Sequence, residues 1–401
     1  MSAPRVFFRS TPLTRLSLPV LLNAWDSVPG APDIQVVNRA PEQAKKGDVV
    51  LYSFLTPQLP DLHPEIKSLL ERGILLVAGG PHADGNPALT LETGFHACVT
   101  GDGEKALPLL AQDIIAGNCL SKRYDGGRES DFSAWMPFSS RLPTLPPLEL
   151  MRGCRFRCAY CATSLAGRPR FRSSESVQEY LMELKRRNAK RVNFLCPSAL
   201  EYRDPSLNIS PKETVTRLLT AARSAGFKHI EYGIFPSEIR PDSLDSEWVR
   251  ILRAFVSNRR VTLGAQSGSS CRLRKLRRGH DIPVVEQAVE TANSGGFTVN
   301  LDVIVGFPDE SCDELAATIR FVRRMHRQHR VHVQVHHFFP LPGTPLENRL
   351  PTFHADAQIR LLELLDHDGL ITRQWRTGYR DAKSYLEWLR ETHPGVYALY
   401  H

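Results

Sequence analysis

Nowhere in the 401 residues does an apolar run approach the roughly 20 residues that a membrane span requires. The N-terminus also lacks the basic-then-apolar pattern of an export signal, so a cytoplasmic chain with no membrane span is expected. No internal repeat is visible, and no stretch is low enough in complexity to be read as disordered. The composition, 42% hydrophobic, 23% charged and 8% aromatic, excludes wholesale disorder and fibrous structure. The length is too great for one ordinary core and implies two or three domains. Basic residues number 51 against 43 acidic, a net +8 that suits an anionic partner without requiring one. Cysteines are few, eight in all, and five of them are scattered. The other three fall within Cys154–Cys161, a cluster that favours metal or redox chemistry over a disulfide framework.

The N-terminal part alternates short apolar strands with helical stretches, the pattern of a doubly wound, Rossmann-like α/β sheet. The expected strands are Val6–Phe8, Ile34–Val37, Val49–Ser53, Ile74–Ala78 and Ala97–Thr100, with amphipathic segments at His63–Arg72 and Lys105–Ile115. This assigns residues 1–120 to a first domain. Residues 121–147, with Gly126, Gly127, Pro137, Pro143, Pro146 and Pro147, read as a linker. Alternation resumes over 148–349, with strands expected at Leu148–Arg152, Val192–Cys196, His229–Phe235, Val261–Gln266, Val299–Gly306 and His332–Phe339. Ser210-Pro211-Lys212-Glu213 announces a helix by a capping box with proline in the first turn. Six such units fall short of the eight that close a barrel, so a partial, open barrel is expected. Helices near Gln358–Asp366 and Ala382–Glu391 make 350–401 a small helical C-terminal cap.

Immediately after the first strand of the second block stands Met151-Arg152-Gly153-Cys154-Arg155-Phe156-Arg157-Cys158-Ala159-Tyr160-Cys161. Three thiolates on one loop can ligate three irons of a [4Fe–4S] cluster and leave the fourth iron open to an external ligand, a catalytic arrangement. Zinc is the alternative, but it would want a fourth Cys or His at ligand spacing, and the next cysteine is Cys196. Gln266 and Ser267 stand at a strand C-terminus among small residues, within reach of a ligand in the barrel mouth. Arg278 can pair bidentately with a carboxylate, or be a charge on a helix surface. Ser237 and Glu238 point toward the same mouth, as ribose contacts or as a satisfied loop pair.

The Cys154-x3-Cys158-x2-Cys161 spacing, with Tyr160 before the last cysteine, resembles the signature of the radical S-adenosylmethionine superfamily. The resemblance extends in order through Leu263–Ser269, Arg278-Gly279-His280, Val303–Glu310 and Phe339–Pro345, and so spans Leu148 to about Arg349. It implies that Cys154, Cys158 and Cys161 hold a [4Fe–4S] cluster whose open iron chelates S-adenosylmethionine. One electron then cleaves the sulfonium to methionine and a 5′-deoxyadenosyl radical. It also places Tyr160 and Gly306 in the cofactor site. Where many members carry Gly-Gly-Glu for the amino group of S-adenosylmethionine, this chain has Cys196-Pro197-Ser198-Ala199-Leu200-Glu201. Backbone carbonyls, Ser198 or Glu201 must supply that contact.

The N-terminal block resembles that of the cobalamin-binding class, and Phe235–Pro241 resembles a stretch of an uncharacterised subgroup of it. The resemblance puts cobalamin beside Ser53, Thr56, Gly79, Gly80, Pro81 and His82, with Gly101, Gly103 and Glu104 on the next loop. No Asp-x-His-x-x-Gly stretch offers cobalt an imidazole, and a domain of this shape can also have become a lid. The implied activity is methylation of an unactivated carbon in a small molecule or peptide, with a flavodoxin- or ferredoxin-type electron donor. A rearrangement, cyclisation or oxidation within the same superfamily is the second reading, and methylthiolation of tRNA the third. Against the third, 1–115 holds only Cys98, with Cys119 just beyond, where those enzymes carry three cysteines. A non-enzymatic electron carrier ranks last, having no use for Gln266 and Arg278 in a barrel. The basic stretches Lys185–Arg191 and Arg272–Arg278 read as solvated helix faces, which argues against a nucleic-acid partner.

Overall fold

The structure, a computed structural model, describes residues 4–129, 131–372 and 374–401. The expected domain start at residues 1–3, and Ser130 within the expected linker, lie outside them. The chain divides into two compact units. The first runs to Pro146 and takes in Leu341–Thr344 and Ser384–Leu399; the second comprises Pro147–Pro340, Pro345–Lys383 and Tyr400–His401.

The first unit is a parallel sheet of six strands: β1 (Val6–Arg9), β2 (Ile34–Val37), β3 (Val49–Ser53), β4 (Leu75–Gly79), β5 (Ala97–Thr100) and β6 (Arg123–Asp125). The order β2-β1-β3-β4-β5-β6 reverses direction at β1, as in doubly wound sheets. Strands buried on both faces explain runs such as Val49-Val50-Leu51-Tyr52, all four nearly inaccessible. The core joins Val6, Phe8, Val49, Leu51 and Val77 to Leu22 and Trp25 of helix Leu18–Asp26 and Leu110 of helix Gly103–Ala116.

Two expectations are corrected here. Residues 121–147 are not simply a linker: Cys98, Val99 and Thr100 pair with Arg123, Tyr124 and Asp125, making β6 an edge strand. The C-terminal helices do not form one cap, because the chain from Ser384 to Leu399 is grouped with the first unit.

In the second unit the strand expected at Leu148–Arg152 splits. β7 (Leu148–Glu149) pairs parallel with β10 (Arg191–Leu195), whereas β8 (Met151–Arg152) turns away to pair antiparallel with β9 (Arg170–Phe171). This small ribbon closes the neck of the cysteine loop. β11 (His229–Glu231) is shorter than expected because Gly233, at φ +73°, breaks the run. The chain resumes the wall at Ser237 and Ile239, which bridge Cys196 and Leu263. β12 (Arg260–Gln266), β13 (Thr298–Val305) and β14 (Val331–His337) complete a parallel succession. The wall is thus β7-β10-β11-β12-β13-β14, a partial six-stranded (β/α) barrel. Ser210 caps helix Pro211–Ser224 as its sequence implies, its side chain accepting from the Glu213 N–H.

Candidate active site

The three cysteines lie on the loop between β8 and β9, and none is in a disulfide. Among the described residues no three His, Cys, Asp or Glu side chains converge as the ligands of one ion would. The thiols are nevertheless neighbours: burial first, then the charges of Cys161 and Cys158, push the Cys154 thiol up. Cys158 is the buried one, and two guanidinium groups face its sulfur, Arg278 Nη1 at 3.4 Å and Arg240 Nη1 at 3.8 Å. Unpaired thiols beside cationic donors fit a cluster carried on thiolates.

Arg278 is buried, so it is not a helix-surface charge. It donates to the Gly264 carbonyl at 2.6 Å and to the Tyr160 hydroxyl at 3.2 Å. Tyr160 meets Phe307 edge-on, and Phe307 meets Phe338, giving the site an apolar flank. Gln266 sits at a bulge in β12 with φ +71°, and its amide folds back over Gly264. A Cβ at Gly264 would lie 2.6 Å from Gln266 Nε2, so the glycine makes room for that amide.

Glu238 has a side chain free of hydrogen bonds among the described residues. Burial pushes its carboxyl up, against the pull of Arg278. Asp302, on β13, was not anticipated. Its Oδ1 is buried without a hydrogen-bond partner among the described residues, and burial, then the Glu238 charge, raise the carboxyl to about 8. A charged residue inside the apolar run Thr298–Val305 was the available signal.

Other expected residues are occupied within the protein. Ser237 is fully buried and donates to the Phe194 carbonyl at 2.5 Å. Ser267, also fully buried, contacts Thr318 Oγ1 at 3.4 Å and accepts from the Ser269 N–H. Both are engaged within the barrel wall. Glu201 is taken by Arg155, at 2.6 and 3.0 Å, whereas the buried Ser198 hydroxyl has no hydrogen-bond partner among the described residues. Gly306 (φ +76°) donates its N–H to Glu310 at 2.6 Å, and Glu310 in turn meets His354 at 2.9 Å. Cys196 is buried beside Met151, its thiol pushed up to about 12 by burial; Cys312 is exposed.

In the first unit, Ser53 and Gly79 end β3 and β4, and Gly80 and Pro81 lead into the short helix Pro81–Gly85. A Cβ at Gly80 would meet Ser53 Oγ at 2.8 Å, and one at Gly101 would strike the Gly127 carbonyl. Protein, and not an open cradle, therefore fills those two close approaches. A Cβ at Gly103 would likewise lie 2.8 Å from Leu21, and Thr56 and Glu104 are buried. His82 is sealed: fully buried, stacked on Phe54, its Nδ1 3.1 Å from Thr56 Oγ1, and held down to about 4 by burial. The partly exposed Ser53, Gly79 and Gly80 at the strand ends suit a ligand lying across them, to which His82 can offer no imidazole.

The partial barrel carries three cysteines on its first loop. Residues 148–322 match the Radical SAM superfamily. The chain is 26% identical over 292 residues to a tRNA-2-methylthio-N(6)-dimethylallyladenosine synthase of Chlorobium chlorochromatii, covering 68% of this chain and 60% of that protein. An uncharacterized methyltransferase of Pyrococcus horikoshii is 23% identical over 343 residues, 75% of this chain and 68% of that one. In fold the chain is similar to TsrM of Kitasatospora setae, a radical S-adenosylmethionine methyltransferase solved with cobalamin and a [4Fe–4S] cluster. That match has a TM-score of 0.62 and 17% identity, covering 87% of this chain and 77% of TsrM. The cobalamin-dependent S-adenosylmethionine radical enzyme OxsB gives a TM-score of 0.60 at 13% identity, over 98% of this chain and 62% of OxsB. No helix among the described residues is long and apolar enough to cross a membrane.

Proposed function

We propose that this radical S-adenosylmethionine enzyme uses cobalamin in its first unit to methylate an unactivated carbon of a small molecule or peptide. The observation that carries the reading is the gathering of Cys158, Arg278, Gln266, Glu238 and Asp302 at one end of the barrel. When bound, the cluster supplies the single electron that breaks a sulfonium bond, and cobalamin supplies a methyl carrier. The chain's residues bind and orient. Arg278 pairs with the carboxylate of S-adenosylmethionine, and the free Ser198 hydroxyl takes its amino group. Asp302 and Gln266 hold the ribose hydroxyls, and Glu238 lies beside them. Phe307 and Phe338 keep water from that flank. A flavodoxin- or ferredoxin-type protein delivers the electron.

Methylthiolation of tRNA is the second reading, favoured by the synthase relative. Against it, Cys98 is sealed in the first unit, its thiol pushed up to about 11 by burial.

The test is anaerobic reconstitution with iron, sulfide and hydroxocobalamin, followed by metal analysis and visible spectroscopy. Roughly four irons and one cobalamin retained per chain are expected. A chain that takes up iron but no cobalamin refutes the methyl-transfer reading.

A further inference from the structure

Arg240 belongs to the stretch Phe235–Pro241, yet the sequence assigns it no task. It is buried, 6% exposed, and its guanidinium lies flat over the Phe156 ring at 3.6 Å. Phe156 sits on the cysteine loop between Cys154 and Cys158. Nη1 points at Cys158 Sγ from 3.8 Å, while Nη2 holds the Asp242 carboxylate at 2.9 Å and also donates to the Arg278 carbonyl. Nε is buried with no hydrogen-bond partner among the described residues. Burial alone would raise the Asp242 carboxyl, but the nearby His280 and the hydrogen-bonded Arg240 hold it well below the usual range, so it stays charged. Behind it His280 is buried, its Nδ1 3.5 Å from Asp242. The arrangement is a fixed cation at a thiolate, aimed by a carboxylate and by an aromatic face.

We propose that Arg240, acting through Cys158, sets the reduction potential of the cluster, with Asp242 as its counterweight. The inference rests on the cluster assignment above. Reduction adds one electron to the cluster, [4Fe–4S]2+ to [4Fe–4S]1+, with no bond made or broken and no proton moved. The added charge is shared with the ligand sulfurs. A cation and an N–H donor at one of those sulfurs favour the more negative state and raise the potential. Burial keeps water from screening the effect. The nearby Asp242 charge offsets part of it.

The experiment uses the full chain, reconstituted anaerobically and poised with dithionite and low-potential dyes where half of the native clusters are reduced. Electron paramagnetic resonance then reads the reduced fraction. Arg240→Gln is expected to lower the reduced-to-oxidised ratio about 10-fold, equivalent to about 59 mV for a one-electron couple. Asp242→Asn leaves the cation without its counterweight and is expected to raise the ratio. An unchanged ratio in Arg240→Gln at full iron content overturns the proposal. Should that variant not retain its cluster, Asp242→Asn decides: a ratio equal to or below native overturns the proposal. A native chain that takes up no iron overturns the cluster assignment itself, and this inference with it.

Discussion

Asp302, on β13, is opposed by the charge of Glu238, which lies between the bridging residues Ser237 and Ile239 of the barrel wall. Asp302 rises to about 8, through burial first and Glu238 second. Between about pH 4 and 8 the native chain therefore keeps a proton that the unfolded chain gives up, and stability falls as pH rises through that window. Asp302→Asn stays neutral throughout. Its advantage over native in urea unfolding of the cofactor-free chain should be larger at pH 8 than at pH 5, by about 1–3 kcal/mol. An advantage equal at the two pH values would refute the assignment.

Gly264 makes room for the Gln266 amide and lies 3.3 Å, measured from a built Cβ, from Arg278 Nη2. Gly264→Ala should push both flexible side chains aside while leaving the strand intact. Calorimetry on the reconstituted chain should show S-adenosylmethionine binding weakened by about 10-fold, with a change in unfolding free energy below about 1 kcal/mol. Unaltered binding would remove Gln266 from the site.

The cysteines divide by task. Cys158→Ala should lose the cluster, read as iron and sulfide per chain. Cys196→Ala, at a sealed position beside Met151, should keep it and cost about 1–2 kcal/mol of stability. Full iron content in Cys158→Ala would be incompatible with three-cysteine ligation.

His82 tests how the first unit meets its cofactor. Removing a fully buried ring that stacks on Phe54 should destabilise the chain by about 2–4 kcal/mol. Cobalamin retained per folded His82→Ala chain should match native, measured by visible absorbance after desalting. Selective loss of cobalamin at unchanged fold would make His82 a ligand after all.

What the sequence made legible was local. Ile34–Val37, Val49–Ser53 and Ala97–Thr100 are strands over the expected residues, because continuous apolar runs bounded by turns carry their own signal. Arg123–Asp125 escaped notice because a polar edge strand is defined by its partner β5 and not by its own residues. The strand expected at His229–Phe235 overran because Gly233 takes a left-handed conformation that the apolar pattern does not reveal. The cysteine triplet was visible since its ligands share one loop. Arg240 facing Cys158, or Asp302 facing Glu238, joins residues about 60 or more positions apart, and only the folded wall brings them together. The internal partners of Ser237 and Ser267, a carbonyl and a threonine, were hidden for the same reason.

The antiparallel ribbon of β8 and β9 bears on how the cluster is acquired. Met151 pairs with Phe171 and Arg152 with Arg170, while the Arg172 N–H donates to the Leu150 carbonyl just below. The two ends of the cysteine loop are thereby tethered to the barrel. The entropy of closing that loop is lost during folding of the barrel, and capture of iron and sulfide need order only the residues between the tethers.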